Sequence, residues 1–300
     1  MTAHAADLRI GRRLAVAGIA ASATLAVVNI TVGLIAHSTS VFATGVEFAG
    51  DVLASTMVLL GMIAAARPAD ANHPYGHGRV ETLGAFVVGA ILATGGAGIC
   101  VTSFRTLGEV APTPAPAALG VLVLAIAVRG AMSGLKFRVG RRLRSAALTA
   151  DAWNDLMDLV SAVVALAAVG LSIASPVRFR AADHVGGIVV GLVVVTMGLR
   201  VLYDAALDLV DTMPAPDLIE RLRVTALEVP GVLGVDKAYA RKTGLRYHVD
   251  LHVEVAPGMT VGEAHEVAGR VRSRLRERLD WVADVLVHIE PLPEPAPPAA

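Results

Sequence analysis

Six long apolar runs fill the first two thirds of the chain, at about 14–36, 41–66, 82–104, 117–138, 147–175 and 184–210. Each reaches the roughly 20 residues of helix that cross a hydrocarbon core of about 30 Å. Residues 1–212 are therefore expected to form six transmembrane helices, with surplus length taken up by tilt or by extension past the bilayer. The first run follows Arg9, Arg12 and Arg13. It is too long for a secretory signal and lacks a small-residue cleavage site, so it is expected to stay as a span.

Beyond Pro214 the pattern changes to that of a soluble α+β domain over residues 213–292. Residues 245–255 alternate strictly: Leu245, Tyr247, Val249, Leu251, Val253 and Val255 take one face, and Arg246, His248, Asp250, His252 and Glu254 the other. Period two predicts a half-buried strand. Thr260 with Glu263 has the spacing of a capping box, which starts a helix to about Leu279. A helix near 216–228, a strand near 232–240 and a last strand at 284–290 complete the order α-β-β-α-β. The Pro-rich end, 293–300, is expected to be a disordered tail.

Basic residues orient the spans. With the N-terminus inside, Arg9, Arg12, Arg13, Arg67, Arg79, Lys136, Arg138, Arg141, Arg142 and Arg144 fall on the cytoplasmic side and only Arg105, Arg178 and Arg180 outside. Both termini are then cytoplasmic, and the inner cell membrane is the expected location. Only 17% of the 300 residues are charged, which suits a membrane protein. The balance of 26 basic and 26 acidic residues gives no basic footprint for nucleic acid. A single cysteine, Cys100, cannot support a disulfide framework or an all-cysteine zinc site, and is expected to be a buried apolar filler.

Chemistry enters through polar residues inside the spans. Glu47 and Asp51 lie four apart in the second run, and Asn154 and Asp158 four apart in the fifth, so each pair projects from one helical face. Two such faces meeting would hold four oxygen ligands. A carboxylate at the bilayer centre costs at least about 2.5 kcal/mol, so these acids require a cation, protons or water, unless one sits near a helix end and is merely solvated. Arg129 interrupts the fourth run. It either snorkels toward the cytoplasmic headgroups or pairs with an acid such as Asp155 or Asp158. Gly187 and Gly191 form a Gly-x-x-x-Gly pattern that suits simple close helix packing more than a dimer face.

The loop sequence His73-Pro74-Tyr75-Gly76-His77-Gly78-Arg79-Val80-Glu81 resembles the loop signature of the cation diffusion facilitator family. The resemblance extends through Gly45–Asp51, Ala150–Asp158 and the C-terminal domain, over about residues 10–292. It implies a homodimer in the lipid bilayer, with a metallochaperone-like cytosolic domain. The implied activity is export of divalent transition-metal ions from the cytoplasm in exchange for protons, by alternating access.

Carried over by that resemblance, the transport ligands fall on Glu47, Asp51, Asn154 and Asp158. The commoner zinc pattern of the family has His or Asp at the first of these and His at the third. The missing imidazoles favour the harder Mn2+ or Fe2+, with Zn2+, Cd2+ and Co2+ still open. When the ion leaves, crowded carboxylates favour uptake of a proton, and Glu47 is the expected carrier. A second family site maps to Asp70, His73 and His77, unless that loop only packs on the membrane domain with His77 capping backbone groups. A cytosolic metal cluster maps to Asp236, His252, His265, His288 and Glu290, the alternative being a solvated charged face. His248 and Asp250 do not match family positions. Arg79 and Asp211 match a charge pair that ties the third span to the end of the sixth.

Two other functional classes remain. A metal-sensing or scaffold member that has lost transport is conceivable because Asn154 cannot carry a proton. A membrane enzyme is disfavoured, since no Gly-x-Ser-x-Gly or His-Glu-x-x-His motif accompanies the spans.

Overall fold

The computed structural model describes residues 2–65, 67, 69–108, 112–143, 146–244 and 246–293. Arg144, Leu245 and the last seven residues of the expected tail lie outside the described residues. Six long helices come first: α1 (Thr2–Ile35), α2 (Thr39–Ala65), α3 (Arg79–Thr106), α4 (Ala117–Leu143), α5 (Ala146–Ala174) and α6 (Ala182–Leu209). Among the described residues, five of them, all but α2, are long and apolar enough to cross a membrane. Several outrun their apolar stretches, α1 starting at Thr2 and α4 ending at Leu143. Apolar composition marks the part of a helix that suits hydrocarbon, whereas backbone hydrogen bonding continues through polar ends made of good helix formers.

The chain divides into two compact units, Met1–Met57 with Ala85–Leu202, and Val58–Gly84 with Tyr203–Ala300. In the first, Val41, Leu122, Val169 and Val190 are buried in one apolar cluster, and Leu25, Phe48, Ala125 and Ala162 in another. Small residues let the helices approach closely. A Cβ on Gly187 would lie 2.8 Å from the Ser103 and Thr39 hydroxyls, and one on Gly191 2.8 Å from the Cys100 sulfur. The Gly-x-x-x-Gly pair thus serves packing within the chain, and Cys100 fills the gap beside it.

The start of α2 is held by a residue of another helix. Asp183 on α6 accepts from the Thr39 backbone N–H at 2.7 Å and from the Ser38 hydroxyl at 2.7 Å, while the Ser40 hydroxyl donates to its backbone carbonyl. A carboxylate at a helix N-terminus satisfies orphan donors and complements the macrodipole.

The second unit contains α7 (Pro216–Leu227), β1 (Gly234–Thr243), β2 (Arg246–Val255), α8 (Val261–Arg278) and β3 (Val282–Pro291). The sheet order is β1-β2-β3, with β1 antiparallel and β3 parallel to β2, so α8 is the crossover between two parallel strands. The alternation in β2 buries Val249, Leu251, Val253 and Val255 against Leu222 of α7 and Val267, Val271 and Leu275 of α8. The opposite face of β2 carries polar side chains, and His252 there is in register with His288 of β3.

The capping box forms: the Glu263 N–H donates to the Thr260 hydroxyl oxygen and Glu263 Oε2 accepts from the Thr260 N–H at 2.9 Å. Hydrogen bonds from the Thr260 hydroxyl and backbone hold the Glu263 carboxyl below its ordinary value. Stability from a depressed carboxyl is present above its unfolded value and is lost as pH falls through the folded one. Thr260→Ala should therefore lower the melting temperature at neutral pH, and its deficit against wild type should shrink in acid. Thermal melts of both proteins across pH 3–7 check this.

Candidate metal sites

Glu47 and Asp51 lie one turn apart on α2, and Asn154 and Asp158 one turn apart on α5. The two faces meet: Asn154 Nδ2 donates to Asp51 Oδ1 at 3.3 Å. Between the carboxylates lies Arg129 of α4, only 3% exposed. Its guanidinium is 2.6 Å from Asp51 Oδ2, 2.7 Å from Asp155 Oδ1 and 3.2 Å from Asp158 Oδ2, and its Cζ stacks 4.4 Å from the Phe48 ring centre. Of the two readings open for Arg129, the structure therefore gives the buried ion pair and not the snorkelled side chain. Glu47 is buried beside Ser161 with Asp51, Arg129 and Asp158 as electrostatic neighbours, and neither carboxylate oxygen has a hydrogen-bond partner of normal geometry. Two buried carboxyl oxygens without hydrogen-bond partners, beside a cluster of further acids, have the donor chemistry of a cation site.

The charge network continues along α4 and α5. Lys136 lies 2.6 Å from Asp155 Oδ2 and 2.8 Å from Asp151 Oδ2. The Ser133 hydroxyl donates to the Ala152 carbonyl at 2.8 Å, fixing the helix register that lines these charges up. Asp151, Asp155 and Asp158 share a face at i, i+4, i+7 spacing, with Arg129 and Lys136 seven apart on the facing helix. On the sequence alone Asp155 stands out only as a partner for Arg129, and Lys136 only as a charge that orients the spans. The i, i+4, i+7 ladder was the signal that could have found it.

The loop between α2 and α3 gathers its three residues. Asp70 Oδ1 accepts from the backbone N–H of Asn72 and His73 at 2.9 and 2.7 Å, and lies 3.1 Å from His73 Nδ1; Asp70 Oδ2 is 3.4 Å from His77 Nε2. The His73 N–H bond is the main reason that the Asp70 carboxyl sits below its ordinary value. Gly76, at φ +80°, makes the turn that brings the imidazoles to 4.4 Å between ring centres. One ligand atom from each of the three lies within 4.8 Å of the others, and His77 Nδ1 is buried without a partner. Two imidazoles and a carboxylate suit a transition metal.

In the C-terminal domain, His252 and His288 are register partners on β2 and β3, with ring centres 4.8 Å apart, and His252 Nδ1 is 3.4 Å from Glu290 Oε1. These three again converge within 4.8 Å, and both of those closest atoms are buried without hydrogen-bond partners. The donor set fits a divalent metal in the same way. Asp236 and His265 do not join them. Asp236 sits on β1 beside Lys237 at 3.6 Å, and His265 lies in the first turns of α8, where it lines an open cleft with Glu290. Strand register places 252 and 288 side by side, but the distance from α8 and β1 to that point is set by packing that spacing does not encode.

Arg79 and Asp211 form a direct ion pair, with Asp211 in the left-handed region at φ +57°. A second tie, not foreseen, joins Lys242 of β1 to Asp208 of α6 at 2.7 Å. His248, set aside on the sequence, meets the loop residue Tyr75 edge-on at 5.6 Å, and the Arg241 guanidinium lies over the same ring, 5.2 Å from its centre.

Comparison with known proteins places these features in a family context. The cation efflux transmembrane domain matches residues 15–210, and the cation efflux protein cytoplasmic domain matches residues 214–292. Metal tolerance protein 2 of Oryza sativa subsp. japonica is 31% identical over 300 residues, covering 91% of this chain and 76% of that protein. The manganese efflux system protein MneP of Bacillus subtilis is 24% identical over 287 residues, covering 94% and 97%. Among solved structures, a cadmium form of a MamM C-terminal domain is 27% identical and covers 26% of this chain and 98% of that one, with a TM-score of 0.26.

Proposed function

The chain belongs to the cation diffusion facilitator family of divalent-metal efflux transporters, and from that premise we propose that it is a homodimeric exchanger moving Mn2+ or Fe2+ out of the cytoplasm against protons. The observation that carries this reading is the meeting of the Glu47/Asp51 and Asn154/Asp158 faces with orphaned, buried Glu47 oxygens between them. The ion is the substrate there, bound by three carboxylates and one amide. Oxygen donors without imidazole suit harder ions, and one relative is by name a manganese efflux protein. As the ion leaves, the carboxylates repel one another, and a proton taken up at Glu47 restores the balance. Alternating exposure of this site to the two sides of the membrane then couples the two fluxes. The loop and C-terminal clusters would hold further metal ions that regulate the exchanger and assist dimer formation. Both termini lie in the cytoplasm, and the work done is transport and not catalysis.

Growth of an efflux-deficient host carrying this chain, challenged separately with manganese, iron, zinc, cobalt and cadmium, tests the reading. Protection against manganese or iron is the expected result. A protein that binds metal at its C-terminal domain yet protects against none of the five is a sensor or scaffold, the second reading, which Asn154 favours because an amide cannot carry a proton.

Selectivity should follow the third ligand. Asn154→His places an imidazole beside Asp51 and should shift preference from manganese toward zinc or cadmium by on the order of tenfold. Competition between these ions in flux assays measures the shift, and an unchanged profile would remove position 154 from the selectivity determinant.

A further inference from the structure

Arg129 lies among the carboxylates of the candidate transport site. Its guanidinium spans Asp51 and Asp158, two of the four ligands in the transport reading on which this inference rests, and shares one nitrogen between Asp158 and Asp155. A divalent ion drawing on those same carboxylates meets the positive charge of a guanidinium already within hydrogen-bond distance of both, and the two cations repel each other. Asp155 is different: it contributes no ligand in that reading, it is buried, and its second oxygen is held by Lys136 at 2.6 Å. It therefore offers the guanidinium a fixed carboxylate that does not have to be given up when metal arrives.

We infer that Arg129 is a tethered cation that competes with the transported divalent ion for Asp51 and Asp158, and that it withdraws onto Asp155 when the ion binds. The physical consequence is a site that is never an uncompensated cluster of buried anions. Before loading, the arginine neutralises it; after loading, the metal does. The same competition weakens metal affinity, since part of the binding free energy is spent on displacing an existing ion pair, and so it speeds release on the far side of the membrane. Arg129 is in this sense a positioning and affinity-setting residue. Phe48 stacks on the guanidinium and supports it beside the carboxylates.

Manganese binding to the purified full-length dimer, by titration calorimetry, and manganese flux in proteoliposomes test this with R129Q, R129K and D51A. The expected result for R129Q is binding at least about tenfold tighter than wild type, with KM and kcat both lowered. A merely structural arginine would give weaker binding when removed. R129K, whose compact head cannot bridge three carboxylates at once, should bind more tightly than wild type by a smaller factor, and it decides the question if R129Q fails to insert. Weaker or unchanged binding in whichever of these variants inserts overturns the inference. D51A separates the two levels of the argument: if it loses manganese binding while the Arg129 variants do not tighten it, only the tethered cation fails; if it binds as wild type does, the transport site itself is misplaced.

Discussion

Asp51→Ala should lower metal flux to at least on the order of 100-fold below wild type in a protein that is expected still to insert and dimerise. The side chain bridges the two helices of the proposed site, accepting from Asn154 with one oxygen and meeting Arg129 with the other. Its loss removes one of three anionic ligands and leaves Asn154 without its partner across the interface. Folding should survive, because Arg129 keeps Asp155 and Asp158 as counter-ions. Proteoliposomes containing equal amounts of correctly inserted dimer give the comparison, and wild-type flux from Asp51→Ala would end the assignment.

The second large effect falls on stability. Asp155→Leu should destabilise the full-length protein by about 3–5 kcal/mol, the usual cost of stranding a buried charge. Here one carboxylate serves two buried cations, Arg129 at 2.7 Å and Lys136 at 2.6 Å, and its removal leaves both short of a partner. Asp151 makes an instructive control. It also meets Lys136, at 2.8 Å, but its side chain is 45% exposed, so Asp151→Leu should cost only about 0–1 kcal/mol. Denaturant unfolding of the three proteins in one detergent measures the contrast. Equal costs at 151 and 155 would mean that burial does not set the strength of this network.

How far the sequence could be read depended on whether the signal was local. The α8 start was legible because Thr260 and Glu263 cap the same turn, and β2 was legible because burial alternates within one strand. Length and apolarity made the spans legible as elements but not their ends, since a helix does not stop where hydrocarbon does. What escaped were features made by two segments far apart in the chain. Arg129 could be seen as an anomaly in the fourth span, but whether it snorkels or pairs depends on where α5 puts Asp155 and Asp158. Asp183 lies in the first turn of α6, and only the folded chain shows that it also caps α2. His252 and His288 could be matched through strand alternation, whereas Asp236 and His265, on separate elements, could not be judged without the packing of α8.

Metal entry into proteoliposomes with an imposed proton gradient tests the central claim most directly. For the wild-type dimer, manganese or iron should move against the proton flow and stop when an ionophore collapses the gradient, with a matching pH change inside the vesicles. Metal bound stoichiometrically to the reconstituted protein with no gradient-dependent flux of any divalent ion would contradict it.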